Sequence, residues 1–297
     1  MEITYIERKT GEKRIEKVYG SKSLMLLYGE GFLNSIVSFF LLPLLSYFPY
    51  ASRFYGYLMK RAASAKKIAP FIKSYGIDES EFASSDFRSF NDFFIRKLKP
   101  EARPIAADPN ALAAPADGRY LVFPQFDRFF VKDQEFFLEQ FLQDSAPAHR
   151  YSEGSMAIIR LCPTDYHRYH FPSDGVPGEA KLINGALFSV NPIALRKKIA
   201  ILSENKRMVT EIETERFGTL LYIEVGATSV GSIRQTYAPN RPVKKGDEKG
   251  YFEFGGSCIV LLFEKGRIRF DDDLVQNTRA GLETLLQFGE PIARIPS

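Results

Sequence analysis

"YFEFGGSCIVLLFEKG" (residues 251–266) is an alternating, apolar run broken in its middle by two glycines and a serine. Glycine inside a strand loses conformational entropy and packs nothing. The interruption therefore reads in one of two ways. It is a β-bulge or barrel corner, or it is a place where a backbone bond must be open to close approach. Outward from it lie further short strand-like runs, "TLLYIEVG" (219–226), "MAIIRLCP" (156–163), "FFVKDQEFFL" (129–138) and "YLVFPQF" (120–126), separated by turn residues. Their spacing predicts an α+β fold: a mostly antiparallel sandwich or barrel-like β domain over residues 99–297, with a few helices. "KPEARPI" (99–105) reads as a proline-bearing linker, and residues 52–97 before it read as helices with aromatics on one face.

At 297 residues, 45% of them hydrophobic, the chain is long enough for one large domain or two smaller ones with a sizeable core. Two cysteines, Cys162 and Cys258, are too few for a disulfide framework, which favours a reducing compartment. The mixed-charge start "MEITYIERKTGEKRIEK" lacks the apolar stretch of a signal peptide. The net charge of +4 is uneven: residues 1–74 hold twelve Lys and Arg against five Glu. An anionic partner is expected there, either nucleic acid or a membrane surface.

"GFLNSIVSFFLLPLLSYFPY" (31–50) carries no charge and is followed by Arg53, Lys60, Arg61, Lys66 and Lys67. Pro43 and Pro49 argue against a single spanning helix. Two short helices lying in the membrane interface fit better, with the basic residues meeting lipid phosphates; a buried helical hairpin is the alternative. Residues 1–98 are thus expected to form a helical, membrane-associating region. Because the basic residues flank an apolar stretch and do not line a face with aromatics, no nucleic-acid partner is expected.

Two of the three histidines, His167 and His170, fall within "CPTDYHRYHFPSDG" (162–175). No further Cys or His is at hand to complete a tetrahedral site, so no metal is expected. Asp117 in "APADGRY" (114–120) is either an Asx-turn residue or a carboxylate that orients a histidine. With Ser257 the chain offers Asp, His and Ser, but no strand–G-x-S-x-G–helix elbow surrounds the serine. Ser257 follows two glycines at a strand start, so its hydroxyl could attack the carbonyl of Gly256. The amide would become an ester. β-Elimination would then leave dehydroalanine at 257, which hydrolyses to a pyruvoyl group and ammonia.

"SFNDFFIRKLKPEARPI", "PADGRY", "CPTDYHRYHFPSDG", "ENKRMV", "VGATSVGSI" and "KKGDEKGYFEFGGS", in this order, resemble the phosphatidylserine decarboxylases of bacterial type over almost the whole chain, from Tyr19 to Arg294. The resemblance implies self-cleavage at Gly256–Ser257 into a large chain (1–256) and a small chain (257–297) whose covalent cofactor is the pyruvoyl group derived from Ser257. It implies decarboxylation of phosphatidylserine to phosphatidylethanolamine through a Schiff base with that group. Asp117, His170 and Ser257 correspond to the self-cleavage triad and His167 to a histidine of the decarboxylation step. "GGSC" departs from the Leu-Gly-Ser-Thr common in the family but keeps the glycine and serine. The partners implied are phosphatidylserine, an anionic membrane surface, the other chain of the same precursor and a second copy in a homodimer. The expected location is peripheral or monotopic, at the cytoplasmic face of the cell membrane if the source is bacterial. A pyruvoyl decarboxylase of a soluble amino acid, a non-catalytic membrane-bound β module and a serine hydrolase are the competing readings.

Overall fold

The structure is a computed structural model that describes residues 3–18, 27, 50–125, 129–131, 134–197, 200–227, 232–255 and 257–296. Most of residues 31–50, including both expected interfacial helices, fall outside the described residues, as does Gly256.

A large sheet runs in the order β10 (Lys181–Ile183), β11 (Arg207–Thr214), β12 (Gly218–Gly226), β15 (Ser257–Phe263), β7 (Ser155–Leu161), β4 (Gly118–Phe123), β17 (Glu283–Leu286), β1 (Thr4–Glu7) and β2 (Glu12–Ile15), with β9 (Val176–Pro177) also paired to β11. Its pairings are antiparallel except for β1 on β17. A second sheet orders β13 (Ile233–Gln235), β14 (Glu248–Phe252) and β8 (Arg168–His170). A third orders β16 (Arg269–Phe270), β18 (Pro291–Arg294) and β3 (Ala111–Ala113), and β5 (Phe129–Val131) pairs with β6 (Gln134–Phe136).

The period of two along β15 explains why it is central. Cys258, Val260 and Leu262 enter one core together with Phe141, Leu142, Ile193, Ala194, Ile201 and Leu202 from the helices over that face. Ile259, Leu261 and Phe263 enter the other core with Tyr169, Phe171 and Phe252, so the second sheet lies over this face. All seven residues of the strand are buried. A run of apolar residues without polar alternation is what a strand covered on both faces requires. Truncating Leu261 to Ala would cost about 2–5 kcal/mol through lost transfer energy and the cavity left behind.

The mostly antiparallel α+β architecture agrees with the sequence reading. Residues 4–15, inside the region expected to be helical, correct it. They form a hairpin at the edge of the large sheet, turning at Gly11, whose φ is 71°. The cause is tertiary: β1 is held by β17 (Tyr5 opposite Glu283), close to the far end of the chain, and not by local helix propensity. Described helices of this region include Tyr50–Lys60, Ile68–Tyr75 and Phe90–Phe94. Met59, Phe71, Ile72, Phe82, Phe90, Phe93 and Phe94 form a third apolar cluster that also includes Phe254, three residues before Ser257.

Candidate active site

Ser257 is the first residue of β15, paired with Gly226 of β12 and Leu161 of β7. By alternation it shares the face of Ile259 and Leu261, the side covered by the sheet that carries His170. Its side chain is fully buried and its Oγ has no hydrogen-bond partner among the described residues. A buried hydroxyl without a partner is unfavourable by about 1–3 kcal/mol. Gly255, two residues earlier, has φ 146°, a conformation that a side chain would strain. The chain thus crosses from β14 in one sheet to β15 in another through a backbone that only glycine adopts readily.

His167 immediately precedes β8. Its Nδ1–H donates to the carbonyl of Asp165 at 2.9 Å, which fixes the tautomer and leaves Nε2 as an acceptor. That Nε2 is buried with no partner among the described residues. The ring lies against Phe94, with centroids 3.7 Å apart. Burial, assisted by the nearby Arg96 charge, lowers its pKa to about 3, so the imidazole is neutral at pH 7.

His170 shows the same arrangement with a second contact. Nδ1–H donates to the Gly246 carbonyl at 2.9 Å, and the Tyr166 hydroxyl donates to Nε2 at 3.3 Å. Its ring stacks on Phe288, with centroids 3.8 Å apart and planes 13° apart. Burial lowers its pKa to about 4, against the opposing pull of the Gly246 carbonyl, Glu248 and Asp117.

Asp117 lies in the turn before β4, and its carboxylate is spoken for. Arg103 donates from Nε at 3.0 Å and from Nη2 at 2.7 Å, and the Phe288 N–H donates at 2.8 Å. No direct hydrogen bond joins Asp117 to His170, or His170 to Ser257, among the described residues. Phe288 connects the first two: its amide binds the carboxylate and its ring faces the imidazole. The His170 N–H also donates to the Pro115 carbonyl at 2.8 Å, so the two segments run side by side.

Several residues around this site carry no catalytic signature in sequence. Arg103, in the stretch read as a linker, binds both Asp117 and Glu81 (2.9 Å) and is buried. Asn205, within "ENKRMV", is fully buried; its Nδ2 donates to the carbonyls of Phe188 (2.8 Å) and Gly226 (2.9 Å), which steadies the residue opposite Ser257. Asn91, within "SFNDFF", accepts from the Phe254 N–H at 3.0 Å. Position within a motif was the signal available for the last two. Glu224, opposite Ile259 and thus on the Ser257 face, pairs with Lys249 at 2.5 Å. Both are fully buried, and Lys249 also donates to Thr210 and Gln235. Among the described residues, no group of three or more His, Cys, Asp or Glu is arranged to hold a metal ion. Burial pushes the Cys258 thiol up to about 12, so it is an apolar packing group and not a nucleophile.

The sequence profile of the phosphatidylserine decarboxylase family matches residues 90–294. The chain is 47% identical to a phosphatidylserine decarboxylase proenzyme of Chlamydia pneumoniae, an alignment covering 98% of this chain and 96% of that one. It is 46% identical to the same-named proenzymes of Chlamydia felis, with 98% of each chain covered, and of Chlamydia muridarum, with 99% of this chain and 97% of that one. Likeness of this extent, spanning Asp117, both histidines and Ser257, shows that the chain is an enzyme of the phosphatidylserine decarboxylase family.

Proposed function

We propose that this chain is a proenzyme that cuts itself between Gly256 and Ser257 and then decarboxylates phosphatidylserine to phosphatidylethanolamine and CO2. The observation that carries the reading is the buried Ser257 Oγ, unpartnered among the described residues and standing after a glycine at φ 146°. Folding would favour a satisfied hydroxyl or an apolar residue here; a nucleophile explains why neither is present.

Residue 257 suits a pyruvoyl group. The residue opposite on β12 is Gly226, which brings no side chain, and the His167 Nε2 is open. A pyruvoyl group there would supply a ketone that takes up the substrate amine, and a conjugated sink for the electrons of the departing carboxylate.

The chain's own groups divide the proton work. In scission, His170 Nε2, unprotonated because Nδ1 holds the hydrogen, takes the Ser257 Oγ proton as that oxygen attacks the Gly256 carbonyl. Asp117, held by Arg103 and linked through Phe288, favours the resulting imidazolium. In turnover, His167 is neutral while the site is empty. A substrate carboxylate beside Nε2 raises its pKa, so it gains a proton with the substrate and returns it to the α-carbon after CO2 leaves.

A lipid substrate accords with the helix Tyr50–Lys60. Phe54, Tyr57 and Leu58, on one stripe, are 62%, 55% and 37% exposed, whereas Tyr55 and Met59 face the third core. Arg61, Lys66 and Lys67 follow. Such a stripe edged with cations fits peripheral contact with an anionic bilayer. Among the described residues no helix is long and apolar enough to cross a membrane.

Purified protein supplied with phosphatidylserine vesicles should release CO2 and form phosphatidylethanolamine, and soluble serine should not be turned over. Turnover of soluble serine with no activity on vesicles would replace this reading with that of a soluble amino acid decarboxylase.

A further inference from the structure

The segment that leads to the reactive bond is fixed residue by residue. The Phe252 N–H donates to the His167 carbonyl at 3.0 Å and the Glu253 N–H to the Ser232 carbonyl at 3.2 Å. At Phe254 the acceptor changes character: it is the Oδ1 of Asn91, 163 positions earlier in the chain, at 3.0 Å. The Phe254 ring is buried among Tyr55, Phe90 and Phe94, with centroids 5.7, 5.3 and 5.0 Å away. The Glu253 carboxylate pairs with Lys60 at 2.8 Å. Beyond Gly255, the chain is fixed again where Ser257 enters the large sheet.

Asn91 and Phe94 stand three apart on the helix Phe90–Phe94 and therefore share a face. One holds the Phe254 backbone and the other stacks on the His167 ring. A single short helix of the N-terminal region thus sets the strap before residue 257 and an imidazole of the site relative to each other. Attack of a hydroxyl on the preceding carbonyl demands a near-attack geometry, and displacement of about 1 Å is enough to slow such a step by about 10²-fold.

We propose that Asn91 is a positioning residue for self-cleavage: through Oδ1 it holds the Phe254 backbone so that the following bond is presented to the Ser257 hydroxyl. This rests on the reading that Gly256–Ser257 is the bond cut. The other acceptors of the strap are backbone carbonyls, so Asn91 is the place where one substitution releases it without disturbing a sheet.

The test follows conversion of the newly synthesised full-length chain into two chains on gels, for wild type, Asn91→Leu, Asn91→Ala, Asn91→Asp and Ser257→Ala. Leu and Ala lack the acceptor; Asp keeps it and, in the first turn of a helix, is electrostatically favoured. Cleavage is expected to slow by about 10–100-fold in the Leu and Ala variants and to be restored in Asn91→Asp. Thermal unfolding of each Asn91 variant combined with Ser257→Ala should match that of Ser257→Ala alone to within a few degrees. Wild-type cleavage rates in Asn91→Leu and Asn91→Ala overturn the proposal. So does Asn91→Asp cutting as slowly as they do, or loss of folding in all three, which would make Asn91 a folding residue. An uncut wild type, or a cut Ser257→Ala, overturns the self-cleavage reading itself and the proposal with it.

Discussion

Neighbouring residues of one strand face two different kinds of buried polar chemistry. On the Cys258 face of the large sheet, directly opposite Cys258, stands Arg160. Its guanidinium binds Glu16 at 2.7 Å and Glu283 at 2.6 Å and donates to the Cys162 Sγ at 2.8 Å. Arg119, opposite Arg160 on β4, pairs with Glu16 and Asp165. Burial alone would raise the Glu16 pKa, but the two guanidiniums outweigh it and hold the carboxyl below its usual value. On the Ser257 face, one residue away, the buried Glu224–Lys249 pair is satisfied as well, yet the Ser257 hydroxyl has no partner among the described residues, and neither has the Nε2 of His167 next to β8. The protein therefore pairs buried charges at this depth on both faces of the sheet. On the proposed mechanism, the two atoms left without a partner at residues 257 and 167 are those that take part in bond-making and proton transfer. Where a polar group is saturated its loss should destabilise, and where it is open its loss should stop chemistry and leave the fold intact.

The sharpest way to break this contrast is at the histidines. His170→Ala should slow scission by about 10²–10⁴-fold and accumulate the uncut chain. His167→Ala should still be cut yet release CO2 from phosphatidylserine vesicles more slowly by a similar factor. Gel mobility and CO2 release, read on the same samples, separate the two acts. Blocked scission in His167→Ala beside normal scission in His170→Ala would exchange their roles.

For the saturated groups the expected effect is on stability. Arg160→Met in an uncut Ser257→Ala chain leaves the Glu16 carboxylate and the half-buried Glu283 without their main partner, and should lower unfolding free energy by about 3 kcal/mol. Urea unfolding measures it. A loss below about 1 kcal/mol would mean that the ion network does not hold the sheet and that the contrast between saturated and open groups is empty.

A smaller effect concerns pH. His170 titrates near 4 when folded and near 6.5 when unfolded. Between these values the unfolded chain binds more protons. The neutral ring's contribution is therefore complete above about pH 6.5 and is lost as pH falls toward 4, amounting to about 3 kcal/mol. His170→Asn, again in the Ser257→Ala chain, should show a shallower fall in melting temperature over this window than its parent. Parallel curves would show that His170 is not buried in its neutral form.

Much of the β framework was legible because a strand's period of two is local. β4, β7, β12 and β15 fall where alternating or apolar runs stand between turn residues. The N-terminal hairpin was not. β2 is exposed throughout, so "EKRI" carries no apolar alternation, and β1 earns its place only through β17, near the opposite end of the chain. Asp117, His167, His170 and Ser257 were legible as types of residue in a familiar order. Their partners were not, since the bonds from Arg103 to Asp117, from Phe254 to Asn91 and from Phe288 to Asp117, and the stacking of Phe288 on His170, span separations that no local pattern encodes. Asp117 reaches His170 through Phe288, which no motif singled out, and the burial of Arg103 in "KPEARPI" is decided by the fold and not by the local sequence.

Intact mass of the purified protein, with Ser257→Ala beside it, tests the central claim most directly. The account predicts that the wild type separates into residues 1–256 and residues 257–297, the smaller chain having the mass of a pyruvoyl start and no free amine, while Ser257→Ala remains one chain. A wild type that remains a single intact chain of 33.8 kDa, or a Ser257→Ala chain cut at the same bond, would contradict it.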